Sequence, residues 1–258
     1  MSIHTFETMG TMVSIRLVDA ERGDSEKAIE QVSARLAGLN ERFSLYRDDS
    51  EISKIARGEL ALTKSSEEMR EEYTRALHWR DVTAGAFTPH RPDGVLDLSG
   101  TIKAVGISEA ARILAKAGFS NFSVNIGGDI ATTGLQELAT DTTAESTPWI
   151  TGIVDPLVRE KLLTVIELTA EMNAMATSGN AERGEHIWKR PETTGDFIQV
   201  SVVAPDIITA DVCATAIISG GQETLNMLTG TLPIAVLTVN TAGELSANPR
   251  FTQLVAGR

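Results

Sequence analysis

One cysteine, Cys213, occurs in 258 residues, so no intrachain disulfide can form. That excludes the disulfide-stapled secreted scaffolds and points to a reducing compartment. Paired thiolates for a structural zinc site are missing too, and no histidine pair at a ligating spacing replaces them. Aromatic residues make up only 5% of the chain. No apolar run approaches the roughly 20 residues that cross a bilayer, so no membrane span is expected. The opening Met-Ser-Ile-His-Thr-Phe-Glu has neither a basic n-region nor an apolar h-region. No signal peptide is read there, and the cytoplasm is the default location. Positive charge is scarce as well: 23 basic residues stand against 35 acidic ones, a net charge of −12. Nucleic acid is therefore not an expected partner, because its binding requires a clustered basic surface. A phosphate ligand would need a local cation, either a metal or a well-placed lysine. Two familiar phosphate-binding signatures are absent, the Gly-x-Gly-x-x-Gly of dinucleotide folds and the Gly-Lys-Ser/Thr ending of a P-loop.

What is present reads as strands and helices without regular β-α-β alternation, which argues for α+β with mixed or antiparallel sheets flanked by helices. Ile3–Thr8 and Met12–Val18 are β-rich runs joined by a bend at Met9-Gly10-Thr11. Ala28, Val32, Leu36, Leu39 and Phe43 recur at helical spacing from Ser25 to Phe43. Ser50 and Glu51 before Ile52 look like a helix start. A helix from Ser65 is expected to open on a capping box of Ser65 and Glu68, and another to run from Gly106 to Ala117. Strands are expected at Phe122–Ile126, Ile150–Val154, Leu163–Leu168, Asn173–Ala176, Phe197–Val203 and Ile234–Val239. Helices are expected at Ala210–Ile218 and Gln222–Leu228. Gln136–Pro148, acidic and Thr-rich, reads as a mobile surface loop inside one functional unit spanning 1–258.

Five clusters have chemical potential, each with a plainer alternative. Asp211 and Thr215, four residues apart, stack a carboxylate and a hydroxyl on one helix face. With Thr209 as N-cap, Asp211 would lie in the first turn, where the helix dipole favours an acid. Two hard oxygens suit Mg²⁺, which keeps sites for phosphate; the alternative is a first-turn acid and a packed hydroxyl. Asp97-Leu-Ser-Gly100-Thr-Ile-Lys103 reads as a turn in which the Gly100 carbonyl can approach a metal and Lys103 offers a cation, or as a turn with a solvated lysine. Asn125-Ile-Gly-Gly-Asp129 ends a strand with amides able to face an anion, or is ordinary turn chemistry. Phe43-Ser-Leu-Tyr46 offers a ring for a flat heterocycle or an amphipathic rim. Thr177-Ser-Gly-Asn180 with His186 offers a polar floor and a base of near-neutral pKa.

Taken in order, Met9-Gly-Thr, Phe43-Ser-x-Tyr46, Gly85-Ala-Phe87, Asp97-Leu-Ser-Gly100-x-x-Lys103, Asn125-x-Gly-Gly-Asp129, Thr177-Ser-Gly179, His186-Ile and Ala210-Asp-x-x-Ala-Thr215 form a series that resembles the ApbE-type FAD:protein FMN transferases. The series runs from about residue 6 to residue 220. The resemblance implies a compact, signal-less member that cleaves FAD with Mg²⁺, attaches FMN to a Thr or Ser of an acceptor flavoprotein and releases AMP. It implies that Met9, Tyr46, Ala86, Phe87 and Thr88 line the FAD site, with Asp97, Lys103 and Trp188 touching the same ligand. Asp211 and Thr215 would ligate the metal by side chain and Gly100 by its carbonyl, with His186 as base. Thr88 replaces the aspartate of the usual Ala-Phe-Asp-Pro, Ala104 the glycine after the lysine, and Lys189 the aspartate two residues beyond His186-Ile. An FAD pyrophosphatase yielding FMN and AMP, or a non-catalytic FAD carrier, is the alternative.

Overall fold

A computed structural model describes residues 1–18, 20, 22–137, 146–179 and 197–257. Strands β1 (Ser2–Thr8) and β2 (Thr11–Leu17) form the expected hairpin about Met9-Gly10, both with positive φ. Helices α1 (Arg22–Phe43), α2 (Glu51–Ala56), α3 (Glu67–Val82) and α4 (Ser99–Lys116) follow. The chain continues through β3 (Phe122–Ile126), β4 (Asp129–Thr133), β5 (Trp149–Val154), β6 (Leu162–Leu168), β7 (Ala174–Gly179) and β8 (Phe197–Ala204). It closes with α5 (Ile207–Thr231), β9 (Ala235–Asn240), β10 (Leu245–Ala247) and α6 (Pro249–Thr252).

Eight strands make one sheet in the order β1-β2-β3-β4-β7-β8-β9-β10, with every pairing antiparallel. The α+β expectation holds. The hairpin β5–β6 forms a separate two-stranded sheet. Strand β8 explains the layering: Val200, Val202 and Ala204 join the core under the helices, while Val203 joins Trp149, Ile153, Ile166 and Leu168 on the hairpin side. A strand covered on both faces needs no polar alternation, and Val200–Ala204 shows little.

The predicted apolar positions of α1, from Ala28 to Phe43, are all buried against the core. Helix α3 departs from expectation at its start. Its N-cap is Ser66, not Ser65; the Ser66 hydroxyl accepts from Met69 N at 3.2 Å. The reciprocal acceptor for the Ser66 N–H is the Glu51 carboxylate from α2, so a neighbouring helix does what a local glutamate does in a capping box. Glu68 instead pairs with Arg35 and Arg42 of α1. Helix α4 begins at Ser99, not Gly106, because Asp97 Oδ1 accepts from Ser99 N at 2.9 Å and starts the helix early. Gly100 and Lys103 are therefore helical rather than in a turn. Within α4, Ala110 is fully buried and Ala111 partly so. Strand β4, which sequence reasoning overlooked, follows the positive-φ pair Gly127-Gly128.

Helix α5 spans both expected C-terminal helices, broken only at Gly221, whose φ is 65°. Its N-cap is Asp206, not Thr209: Asp206 Oδ1 accepts from Thr209 N at 2.9 Å and Oδ2 from the Thr209 hydroxyl at 2.7 Å. Asp211 consequently lies beyond the first turn, and the dipole argument for it falls. Most of the expected Gln136–Pro148 loop lies outside the described residues; its base is closed by Thr147 N donating to Glu137 O at 3.0 Å.

Cys213 packs inside the core, and burial pushes its thiol up to about 12. The folded chain should therefore resist iodoacetamide at pH 8 and take up one equivalent once unfolded, a contrast that mass spectrometry reads directly.

Candidate functional site

Helix α5 lies across β7 and β8 and packs against α4, and chemistry-bearing side chains converge at that junction. Asp211, only 2% exposed, projects from α5, and Thr215 follows one turn later. The Thr215 hydroxyl lies 3.1 Å from the Ser178 hydroxyl of β7. One residue earlier, Thr177 N donates to Asp129 Oδ1 at 3.1 Å. The other oxygen of Asp129 takes Lys103 Nζ in an ion pair, buried on both sides. Lys103 comes from α4, Asp129 opens β4, and the single turn at Gly127-Gly128 delivers Asp129 to that position.

The environment of α4 is set by absent side chains. A Cβ on Gly100 would lie 3.0 Å from Phe87 Cε2, so the Phe87 ring rests on that glycine. Gly106, six residues on, admits Leu36 of α1, whose Cδ2 would be 2.8 Å from an added Cβ, and places Met9 Sδ at 3.7 Å. Ala86 packs similarly on Gly220 of α5. Phe87 N donates to the Thr83 hydroxyl at 3.1 Å, and Asp97 N to Pro89 O at 2.8 Å, tying the 83–97 segment to the start of α4.

Of the sequence-selected residues, Lys103, Thr215 and Asp211 thus meet about α4, β7 and α5, while Met9, Ala86 and Phe87 abut glycines of the same two helices. Thr88 is half-buried and its hydroxyl accepts from His90 N at 3.2 Å. Tyr46, in the segment after α1, is 82% exposed. His186 and Trp188 lie outside the described residues. Two residues joined to this cluster, Asp129 and Ser178, read in sequence only as parts of a turn and of a polar floor. Their sequence neighbourhoods, Gly-Gly-Asp and Thr-Ser-Gly, were visible, but not their partners.

The donor set suits one kind of cation. Asp211, Thr215 and Ser178 offer a carboxylate and two hydroxyls, all hard oxygens. Among the described residues no group of three His, Cys, Asp or Glu could cage a metal. Such a partial oxygen set fits Mg²⁺, which retains water and substrate phosphate in its shell, and does not fit zinc. Among the described residues no helix is long and apolar enough to cross a membrane.

An all-antiparallel eight-stranded sheet with an oxygen-rich, lysine-containing junction between α4 and α5 defines an α+β protein, not a P-loop or Rossmann fold. The particular family follows from comparison. A model of the ApbE family matches residues 9–91 and 90–238, and the chain belongs to that family. A FAD:protein FMN transferase of Vibrio cholerae is 26% identical over 281 residues, covering 84% of this chain and 80% of its own. One of Haemophilus influenzae is 23% identical over 285 residues with the same coverage. Among solved structures, the flavin transferase ApbE from Vibrio cholerae matches 98% of both chains with a TM-score of 0.76 and 22% identity. The apo form of the Pseudomonas stutzeri flavinyl transferase ApbE also reaches 0.76, at 18% identity. At these identities the solved structures speak for the fold.

Proposed function

We propose that this chain, an enzyme of the ApbE family, transfers FMN from FAD to a Thr or Ser hydroxyl of an acceptor flavoprotein and releases AMP. The observation that carries the reading is the junction itself: within a chain of net charge −12, one lysine and a partial set of hard oxygens meet between α4, β7 and α5. Those oxygens would hold the cation that gives a pyrophosphate its local counter-charge, and the lysine would orient it.

Asp211 and Thr215, with the Gly100 carbonyl, would hold Mg²⁺. When bound, the ion supplies positive charge for the transferring and leaving oxygens, the main electrostatic demand of phosphoryl chemistry. The chain's own residues do the rest. Met9, Tyr46, Ala86, Phe87, Thr88, Asp97 and Trp188 hold the dinucleotide, and Phe87 on Gly100 offers an apolar wall beside the first turn of α4. Lys103 places a fixed ammonium near the phosphates. His186 accepts the proton of the acceptor hydroxyl as its oxygen bonds to the FMN phosphorus. The bond from that phosphorus to the bridging oxygen breaks, and AMP leaves carrying the bridging oxygen.

The test is direct. Purified chain, FAD, Mg²⁺ and a candidate acceptor domain should yield flavin fluorescence that stays with the acceptor after denaturation, together with AMP. Free FMN with no labelled acceptor would mean water is the true nucleophile, and unchanged FAD would overturn catalysis altogether.

A further inference from the structure

We propose that Asp129 is a positioning residue for this transfer, acting through Lys103; the inference rests on the reading above. Three elements meet on one carboxylate. Its Oδ2 takes the Lys103 ammonium of α4, its Oδ1 takes Thr177 N of β7 at 3.1 Å, and its own backbone opens β4 in register with Ile126 of β3. At 1% exposure Asp129 has essentially no water to solvate its charge, and Lys103 is nearly as buried. Each ion is therefore held in place by the other, since removing one leaves the other uncompensated.

The consequence reaches the reacting groups. A lysine stem has four rotatable carbons, and an ammonium anchored by a rigid strand residue cannot wander along a bound pyrophosphate. The same carboxylate fixes the Thr177 amide, whose neighbour Ser178 meets Thr215 at 3.1 Å. Asp129 thus sets the lysine of α4 and the hydroxyl pair of β7 and α5 in one frame. It also cancels much of the Lys103 charge, so the lysine serves to orient the phosphates more than to attract them.

Four proteins test this: wild type, Asp129→Asn, Lys103→Met and the double variant. Asparagine keeps an oxygen for the Thr177 N–H while removing the charge that faces Lys103. Turnover is counted per FAD-binding site, and FAD affinity is measured in EDTA by flavin fluorescence. Asp129→Asn should lower kcat by about 10- to 100-fold, the usual scale for a group that orients a reacting one. KM for FAD, and FAD affinity in EDTA, should change by less than about threefold. The double variant should match Lys103→Met to within about twofold, because the carboxylate acts through the lysine. Undiminished kcat per site in Asp129→Asn, or losses that multiply in the double variant, would overturn the role. If either single variant does not fold, Asp129→Glu keeps both charges but moves the carboxylate by one methylene. It should still lose kcat while keeping FAD affinity, and full kcat there would overturn the role. A wild-type chain that binds no FAD and transfers no FMN refutes the functional reading itself, which is a separate outcome.

Discussion

Asp211→Asn should lower FMN transfer by about 10²–10³-fold or more, the scale on which one preorganised electrostatic contributor is lost. The same variant should fold as well as the wild type. Asparagine keeps the shape of aspartate and an oxygen that accepts a hydrogen bond. Thermal stability in EDTA should therefore stay close to that of the wild type. The two proteins part when Mg²⁺ is added. A ligand that binds only the folded state stabilises it by about 2.7 kcal/mol at a hundred times its Kd, so the wild-type melting temperature rises with Mg²⁺ and that of the variant does not. Equal Mg²⁺-induced shifts in both proteins, with transfer intact, would remove Asp211 from the metal site. The two readouts separate loss of the ion from loss of the fold, which activity alone would confound.

Much of the fold was legible because its signals are local. The β-rich runs of β1 and β2, and the Ala28–Phe43 stripe of α1, depend only on neighbours in sequence and emerged as expected. Errors arose where a distant group took over a local role. Glu51 reaches Ser66 from fifteen residues away and displaces the capping box expected of Ser65 and Glu68. Asp206 is a stronger cap than Thr209 and moved the start of α5, which took Asp211 out of the first turn. Gly100 reads in sequence as part of a turn and Gly106 as the first residue of the helix, yet both lie inside α4 and serve close approach of Phe87 and Leu36. The site follows the same rule. The Asp211 and Thr215 pair was readable because four residues on a helix is a local relation. The Lys103–Asp129 and Ser178–Thr215 contacts join residues 26 and 37 positions apart, and only the order of the sheet brings them together.

Gly106→Leu should be the most damaging single change to the scaffold of the site. Helix α4 crosses α1 closely at this glycine: an added Cβ alone would stand 2.8 Å from Leu36 Cδ2 and 3.7 Å from both Leu39 Cδ1 and Met9 Sδ. Leu36 and Leu39 are fully buried, so a whole leucine side chain has nowhere to go without parting the helices. Overpacking of this kind costs about 1–3 kcal/mol and occasionally more. For a chain of this length that is a fall in melting temperature of roughly 2–4 °C per kcal/mol. Gly106→Ala provides the contrast. Alanine gains about 1 kcal/mol of helix propensity over glycine. Against that, the end of the buried Leu36 side chain must give way to relieve the 2.8 Å approach, so the two terms should nearly cancel. If propensity ruled this position, leucine would be nearly as well tolerated as alanine, and both variants would melt at or above the wild type. If close packing rules, only the leucine variant falls. Its displaced Met9 should also weaken FAD binding more than the alanine variant does, because the glycine that joins the two helices also seats a residue expected to line the flavin site.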